Sequence, residues 1–178
     1  MNNPETKELP KFELESPNNK GPLRLVGTLG YLVQNDSLLL LHRSRPPNKD
    51  LWSPPGGKAE IGESPEECMK REFEEETGFR PVEIELAGIL TQYCRGHYDI
   101  LMFLFRITKV EGKLCEGDGG PLKWVPLKDV YDLPVPIADK VFGPWVLDGS
   151  TRFFRARFLQ TPGGEILEKE IYQLDKRA

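Results

Sequence analysis

From Arg24 the chain packs its apolar positions into a strand-like run ending at Val33, breaks at Asn35-Asp36-Ser37, and resumes from Leu38 to His42. Two such runs separated by an Asn-Asp pair predict a β-hairpin. A loop from Arg45 to Gly57 follows, punctuated by Pro46-Pro47 and Pro54-Pro55-Gly56-Gly57. Ser64-Pro65-Glu66-Glu67 then combines an N-cap serine, a proline in the first turn and a glutamate three residues after the cap. Gly78 supplies the stop, so a helix is predicted from Pro65 to Thr77.

Beyond the helix, strands are predicted at Glu83–Cys94 and Tyr98–Ile107, joined through Arg95-Gly96-His97. An acidic glycine loop, Glu116 to Gly120, leads to a short strand around Trp124, and residues 138–148 form a second helix candidate. Arg152–Gln160 alternates Phe154, Ala156 and Phe158 against Arg155 and Arg157, turns at Pro162-Gly163-Gly164, and returns over Glu165–Leu174 as a terminal hairpin. Strands mixed with two helices predict an α/β (α+β) fold with a mixed sheet. Residues 1–22 are polar and rich in Pro and Asn, and are expected to form a tail or lead-in strand before one domain spanning 23–178.

Composition narrows this picture. At 178 residues, with 38% hydrophobic and 29% charged positions, the chain matches an ordinary soluble protein. No apolar run approaches the roughly 20 residues that span a bilayer, and no secretory signal is expected. Cys68, Cys94 and Cys115 show no CxxC spacing, so neither a disulfide framework nor a structural zinc site is expected, and a reducing cytoplasm is the expected setting. The net charge of -4, with no basic stripe, argues against an extended nucleic-acid surface.

The acidity is concentrated. Residues 60–76 contain eight glutamates against Lys70 and Arg71. At about 100° per residue, Glu72, Glu75 and Glu76 share one face of the predicted helix, Met69 and Phe73 occupy its shoulder, and Glu66, Lys70 and Glu74 point away. Like charges at i, i+3 and i, i+4 repel, and a hard divalent cation such as Mg²⁺ compensates most economically because it prefers carboxylate oxygens. The plain alternative is a solvated surface helix with excess glutamate.

The surrounding residues decide between the two. Gly57, Glu63, Arg71-Glu72-Phe73, Glu75-Glu76 and Gly78-Phe79 occur at the spacing of the Nudix box, which resembles the signature of the Nudix hydrolases without a departure. Seven fixed identities recur by chance on the order of once in ten million windows. The resemblance implies a mixed sheet sandwiched between helices, with residues 57–79 as a loop–helix–loop. It implies a Mg²⁺ site, with Mn²⁺ as substitute, built from Glu72, Glu75, Glu76 and the Gly57 carbonyl. It further implies that Arg71 and Glu63 orient those carboxylates. The implied reaction is hydrolysis of a phosphoanhydride without a histidine or cysteine nucleophile, so His42 and His97 are expected to be structural or solvent-facing.

Outside the box the chain is similar to the MutT-like branch, which acts on purine nucleoside triphosphates, oxidised ones included. Leu51-Trp52-Ser53-Pro54-Pro55-Gly56-Gly57-Lys58 resembles its glycine-glycine-lysine loop. Glu116-Gly117-Asp118-Gly119-Gly120 resembles a loop that adds a carboxylate to the metals, which points to Asp118. Pro136-Ile137-Ala138-Asp139 resembles the segment that reads the purine edge. The branch therefore implies substrate contacts from Lys58, Ser53 and Asp139, although Ser53 stands where some members carry Asn. As plain alternatives, Asp139 caps a helix and Asp118 serves a turn. Cys68 falls on the carboxylate side, where a small inert residue is expected, and packs as a small hydrophobe.

The substrate expected from this resemblance is a nucleoside triphosphate, an 8-oxo-purine one above all, cleaved to monophosphate and pyrophosphate. The alternatives are a nucleotide sugar or the 5′-triphosphate end of RNA, and, from another class, an idle domain that senses a ligand or a partner. Thr91–Gly96 lacks the proline associated with ADP-ribose hydrolases. No feature of the sequence reports an oligomeric state.

Overall fold

A computed structural model describes residues 24–46, 48–94, 96–117 and 119–176. The predicted N-terminal tail and Asp118 lie outside the described residues. The first hairpin joins β1 (Arg24–Gln34) to β2 (Ser37–His42). Asn35 and Asp36 both take left-handed backbone angles, as the tight turn between right-twisted strands requires. The other strands are β3 (Trp52–Ser53), β4 (Phe79–Cys94), β5 (Tyr98–Gly112), β6 (Leu122–Pro126), β7 (Thr151–Gln160) and β8 (Ile166–Lys176). The helices are α1 (Pro65–Thr77) and α2 (Ile137–Leu147), with a 3₁₀ turn at Leu127–Asp132.

The described strands form one mixed sheet in the order β3-β2-β1-β5-β4-β7-β8, with β6 on the other edge of β2. β1 pairs with β5, and β4 with β7, in parallel; β4–β5 and β7–β8 are antiparallel. The mixed-sheet expectation therefore holds, and β4 and β5 both run longer than their apolar cores suggested.

β1 and β2 pair only near their turn, at Val33↔Leu38 and Gln34↔Ser37. Beyond that they part, and the segment after β3 fills the gap. Gly30 donates to the Pro55 carbonyl, Thr28 to the Gly57 carbonyl and Ala59 to the Val26 carbonyl, at 2.8–3.0 Å. Gly56 makes this insertion possible, because a Cβ there would lie 2.2 Å from the Thr28 carbonyl oxygen. The glycine-rich loop is thus held beside β1 as firmly as a strand.

α1 begins with a complete capping box between Ser64 and Glu67 and ends at left-handed Gly78. Met69 and Phe73 are wholly buried against Leu32, Leu39, Phe105 and Ile107. Burying two such side chains contributes about 3–6 kcal/mol. Each glutamate repulsion along the helix costs only about 0.2–0.5 kcal/mol. Packing therefore holds the carboxylates in place.

On the opposite face α2 covers the larger core, with Phe142 and Val146 against Leu104, Phe154 and Phe158. The Arg106 guanidinium closes the end of α2, donating to the carbonyls of Val146 (2.6 Å) and Thr151 (2.7 Å). Among the described residues no helix is long and apolar enough to cross a membrane. All three cysteines are free, with Cys68 and Cys94 buried and Cys115 exposed.

Candidate active site

Residues 57–79 place their carboxylates around one guanidinium. Arg71 Nε donates to Glu63 Oε1 at 2.6 Å and Nη2 donates to Oε2 at 2.9 Å, a forked pair. Its Nη1 reaches Glu72 at 2.9 Å and, one turn on, Glu75 at 3.4 Å. Nη2 also donates to the Lys58 carbonyl at 3.2 Å, tying the loop to the helix. The Arg71 fork and the Glu60 amide hold the Glu63 carboxyl down at about 2, and the bonds to Glu63 and Glu72 push Arg71 well above its usual range. The pairing expected of Arg71 with Glu63 and Glu75 is present, and Arg71 also holds Glu72.

Glu76 is different. Its carboxylate accepts from the Gly56 amide at 2.8 Å, yet burial pushes its pKa up to about 7, with Glu72 and Glu75 adding to the rise. The Gly56 amide and Arg43 oppose that rise. Glu72 lies against Gly57 so closely that a Cβ there would meet its carboxylate at 2.3 Å. Glu75 is the most open of the three. Glu75 and Glu76 also occupy the last turn of α1, where the helix dipole disfavours negative charge and no basic residue compensates. The face is thus short of positive charge.

Hard oxygen donors in that deficit fit a divalent cation. Among the described residues no three His, Cys, Asp or Glu side chains close into a ready-made cage. The open fan suits an ion that keeps waters or phosphate oxygens in its other positions. The glycine loop closes one side: Gly117 donates to the Glu76 carbonyl, and a Cβ on Gly119 would lie 2.9 Å from the Glu76 carboxylate. These two residues flank Asp118, which is outside the described residues. Cys68 is buried with Sγ 3.5 Å from Thr28 Oγ1 and lines the inner side of the loop.

A second feature lies on the α2 face. Tyr31, Leu40, Trp52, Pro54, Tyr131 and Asp139 line a narrow cleft. Asp139 is buried, and burial raises its carboxyl to about 7, with Arg43 opposing. Its Oδ2 and the Tyr131 hydroxyl have no hydrogen-bond partner. Asp139 does not cap α2, because Pro136 takes the N-cap position without a side-chain bond and Asp139 falls in the first turn. The capping alternative is thereby removed.

Ser53 is not among the residues that line the α2 cleft. It pairs with Leu41, while Trp52 pairs with His42. Side chains alternate along a strand, so Ser53 points away from the cleft that Trp52 and Pro54 line. Its buried hydroxyl also lacks a partner, but on the α1 side of the sheet. Lys58 is exposed at the mouth of the glycine loop. His42 packs its ring on Trp52, with centroids 4.8 Å apart, and His97 is exposed, as expected of side chains without a catalytic arrangement.

Two residues escaped the sequence reading. Arg43, at the end of β2, acts electrostatically on both Glu76 and Asp139 and so lies between the two features. Its only sequence signal was a cation directly after an apolar strand. Tyr131 sits in a 3₁₀ turn of mixed polarity, Leu127–Asp132, and carried no signal at all.

Comparison with known proteins agrees with this geometry. The NUDIX domain family matches residues 23–146. The Nudix hydrolase YvcI of Bacillus subtilis (strain 168) is 31% identical over 149 residues, covering 81% of this chain and 90% of that protein. An ADP-ribose pyrophosphatase of Methanocaldococcus jannaschii is 32% identical over 108 residues, covering 59% of this chain and 62% of its own length. The crystal structure of the mutator MutT protein from Bacillus halodurans superposes with a TM-score of 0.73 at 32% identity, covering 83% of this chain and 97% of that one. Members of the family generally use divalent metal ions. The chain belongs to the NUDIX domain family and is a Nudix hydrolase acting on phosphoanhydride bonds.

Proposed function

We propose that the chain hydrolyses purine nucleoside triphosphates, oxidised 8-oxo-purine ones foremost, to the monophosphate and pyrophosphate with Mg²⁺. The observation that carries this reading is the continuity between the two features. The segment from Trp52 to Gly57 lines the α2 cleft at one end and touches Glu76 and Glu72 at the other. Arg43 faces both ends electrostatically. A base in the cleft would send its phosphates toward the carboxylate face, past a guanidinium suited to phosphate oxygens. Likeness to the MutT protein supports the same choice.

In this reading Glu72, Glu75, Glu76 and the Gly57 carbonyl would hold the ion, with Asp118 as a further donor, and Mg²⁺ bound there would supply positive charge against that developing on the bridging and leaving oxygens. Glu75, open to solvent and only loosely held by Arg71, takes a proton from the attacking water. Water oxygen bonds to phosphorus, the α–β anhydride bond breaks, and the bridging oxygen leaves with its electron pair. Arg71 and Glu63 keep Glu72 and Glu75 in place and are positioning residues. Lys58 offers its exposed ammonium to the phosphates. The three free thiols suit a reducing cytoplasm.

The archaeal relative motivates a second reading, ADP-ribose as substrate. Turnover of 8-oxo-dGTP, dGTP, ATP, ADP-ribose, a nucleotide sugar and 5′-triphosphorylated RNA with Mg²⁺ separates the possibilities. The highest kcat/KM is expected for a purine triphosphate. A higher value for ADP-ribose would replace this reading with the second.

A further inference from the structure

Among the described residues four buried side-chain atoms have no hydrogen-bond partner: Ser53 Oγ, Asp99 Oδ1, Tyr131 OH and Asp139 Oδ2. Asp99 still holds an ion pair with Arg24 through its other oxygen, and Ser53 faces the α1 side. The remaining two converge on the α2 cleft, from different elements and from opposite ends of a seven-residue gap in sequence. Buried polar atoms are nearly always paired, so two orphans at one place mark a surface that a ligand completes.

The hydroxyl is also deliberately housed. It lies over Gly143 of α2, where a Cβ would stand 2.4 Å from the oxygen. Any larger residue at that position would expel it. Phenylalanine at position 131 would fill the same apolar niche without leaving a polar atom unpaired, so packing gives no reason for the hydroxyl. The cleft has room for about one water molecule, so a ligand reaching these atoms would displace that water with the edge of a base rather than the whole ring.

The donor and acceptor inventory suggests which edge. Burial and the neighbouring Asp139 carboxyl push the Tyr131 phenol far above neutrality, so it always carries its proton and can donate. An ionised Asp139 offers two acceptor oxygens. The Tyr31 phenol beside these two adds a second donor, and Tyr131 and Asp139 together present one donor and two acceptors. A guanine-type edge presents the complement: the O6 acceptor, the N1–H donor and the N2 amino donor. Adenine can satisfy only two of the three, through N1 and its N6 amino group.

Resting on the reading of this cleft as the base site, we propose that Tyr131 is a specificity-determining residue whose hydroxyl donates to the 6-oxo group of a guanine-type base while Asp139 accepts from the adjoining N–H groups.

The decisive experiment changes one atom on each side. Binding of GMP and of 6-thio-GMP, which keeps both N–H groups but replaces O6 by a poor acceptor, is measured by calorimetry on the full chain and on Tyr131→Phe. The wild type is expected to prefer GMP by about fivefold to tenfold, and Tyr131→Phe to lose that preference. The melting temperature of Tyr131→Phe without ligand is expected to equal or exceed that of the wild type. An equal GMP to 6-thio-GMP ratio in both proteins, a lowered melting temperature, or no binding of either monophosphate would overturn the inference. Failure to hydrolyse any nucleoside triphosphate would instead overturn the proposed function, while the binding comparison would still report on Tyr131.

Discussion

On the α1 face the charged groups find partners within residues 56–79, whereas on the α2 face two buried polar atoms have none. Arg71 bonds to Glu63, Glu72 and Glu75, the Glu60 amide also donates to Glu63, and the Gly56 amide donates to Glu76. The α2 cleft sets Asp139 and Tyr131 in apolar surroundings with no partner for either Oδ2 or the hydroxyl. The difference matches two kinds of work. Chemistry on a phosphoanhydride needs carboxylates oriented before the substrate arrives. Recognition of a base gains most from groups whose bonds are completed only when the correct edge arrives.

Changes on the first face should therefore act on every substrate alike, and changes on the second should act on the base. The largest effect is expected from Glu75→Gln, with kcat reduced at least about a hundredfold for any nucleotide if this group takes the proton. Its melting temperature should hardly move, since the side chain is mostly exposed. Steady-state kinetics and a thermal scan check both, and an unchanged kcat would remove the proposed base.

Arg71→Lys comes next. Lysine cannot reproduce the fork to Glu63 together with the bonds to Glu72 and Glu75. Activity should fall about 10–100-fold, as for other residues that orient metal ligands. A Mn²⁺ titration followed by paramagnetic resonance should show weaker ion binding. A fall in activity confined to guanine nucleotides would contradict the division between the faces.

Asp139→Ala is the corresponding change in the cleft. KM for a guanine triphosphate should rise, while the metal requirement and the turnover of a pyrimidine triphosphate stay as they were. If purine and pyrimidine substrates suffer equally, Asp139 does not read the base.

The smallest effect is on stability. Burial raises Asp139 from 3.8 to about 7, so the native protein binds a proton that the unfolded chain has already released between those pH values. Stability is thereby lost as pH rises through that window. The groups around it are Arg43, which opposes the rise, and the uncharged phenols of Tyr31 and Tyr131. Asp139→Asn should therefore raise the melting temperature by a few degrees at pH 8 and by progressively less toward pH 4. A gain that is constant across pH would show that the carboxyl is not held in this way.

The two faces also differed in how much the sequence disclosed. The bounds of α1 were legible because Ser64, Pro65, Glu67 and Gly78 act within one turn of their own positions. The i, i+4 spacing puts Glu75 within reach of Arg71, and the structure makes that contact at 3.4 Å. The cleft was not legible in the same way. Tyr31, Trp52, Tyr131 and Asp139 come from separate strands and turns, and only the sheet order brings them together. The side that Ser53 faces was not legible because a strand of two residues shows no alternation to read, and only its pairing with Leu41 indicates it. The sequence left Asp139 between a helix cap and a substrate contact, and only the backbone at Pro136 removes the cap.

The central claim joins the carboxylate face to the cleavage of one particular bond. Product analysis with 8-oxo-dGTP and Mg²⁺ tests it most directly. Nucleoside monophosphate and pyrophosphate are expected in equal amounts, with none formed when the ion is chelated. Release of orthophosphate and a nucleoside diphosphate, or turnover that persists without a divalent ion, would contradict it.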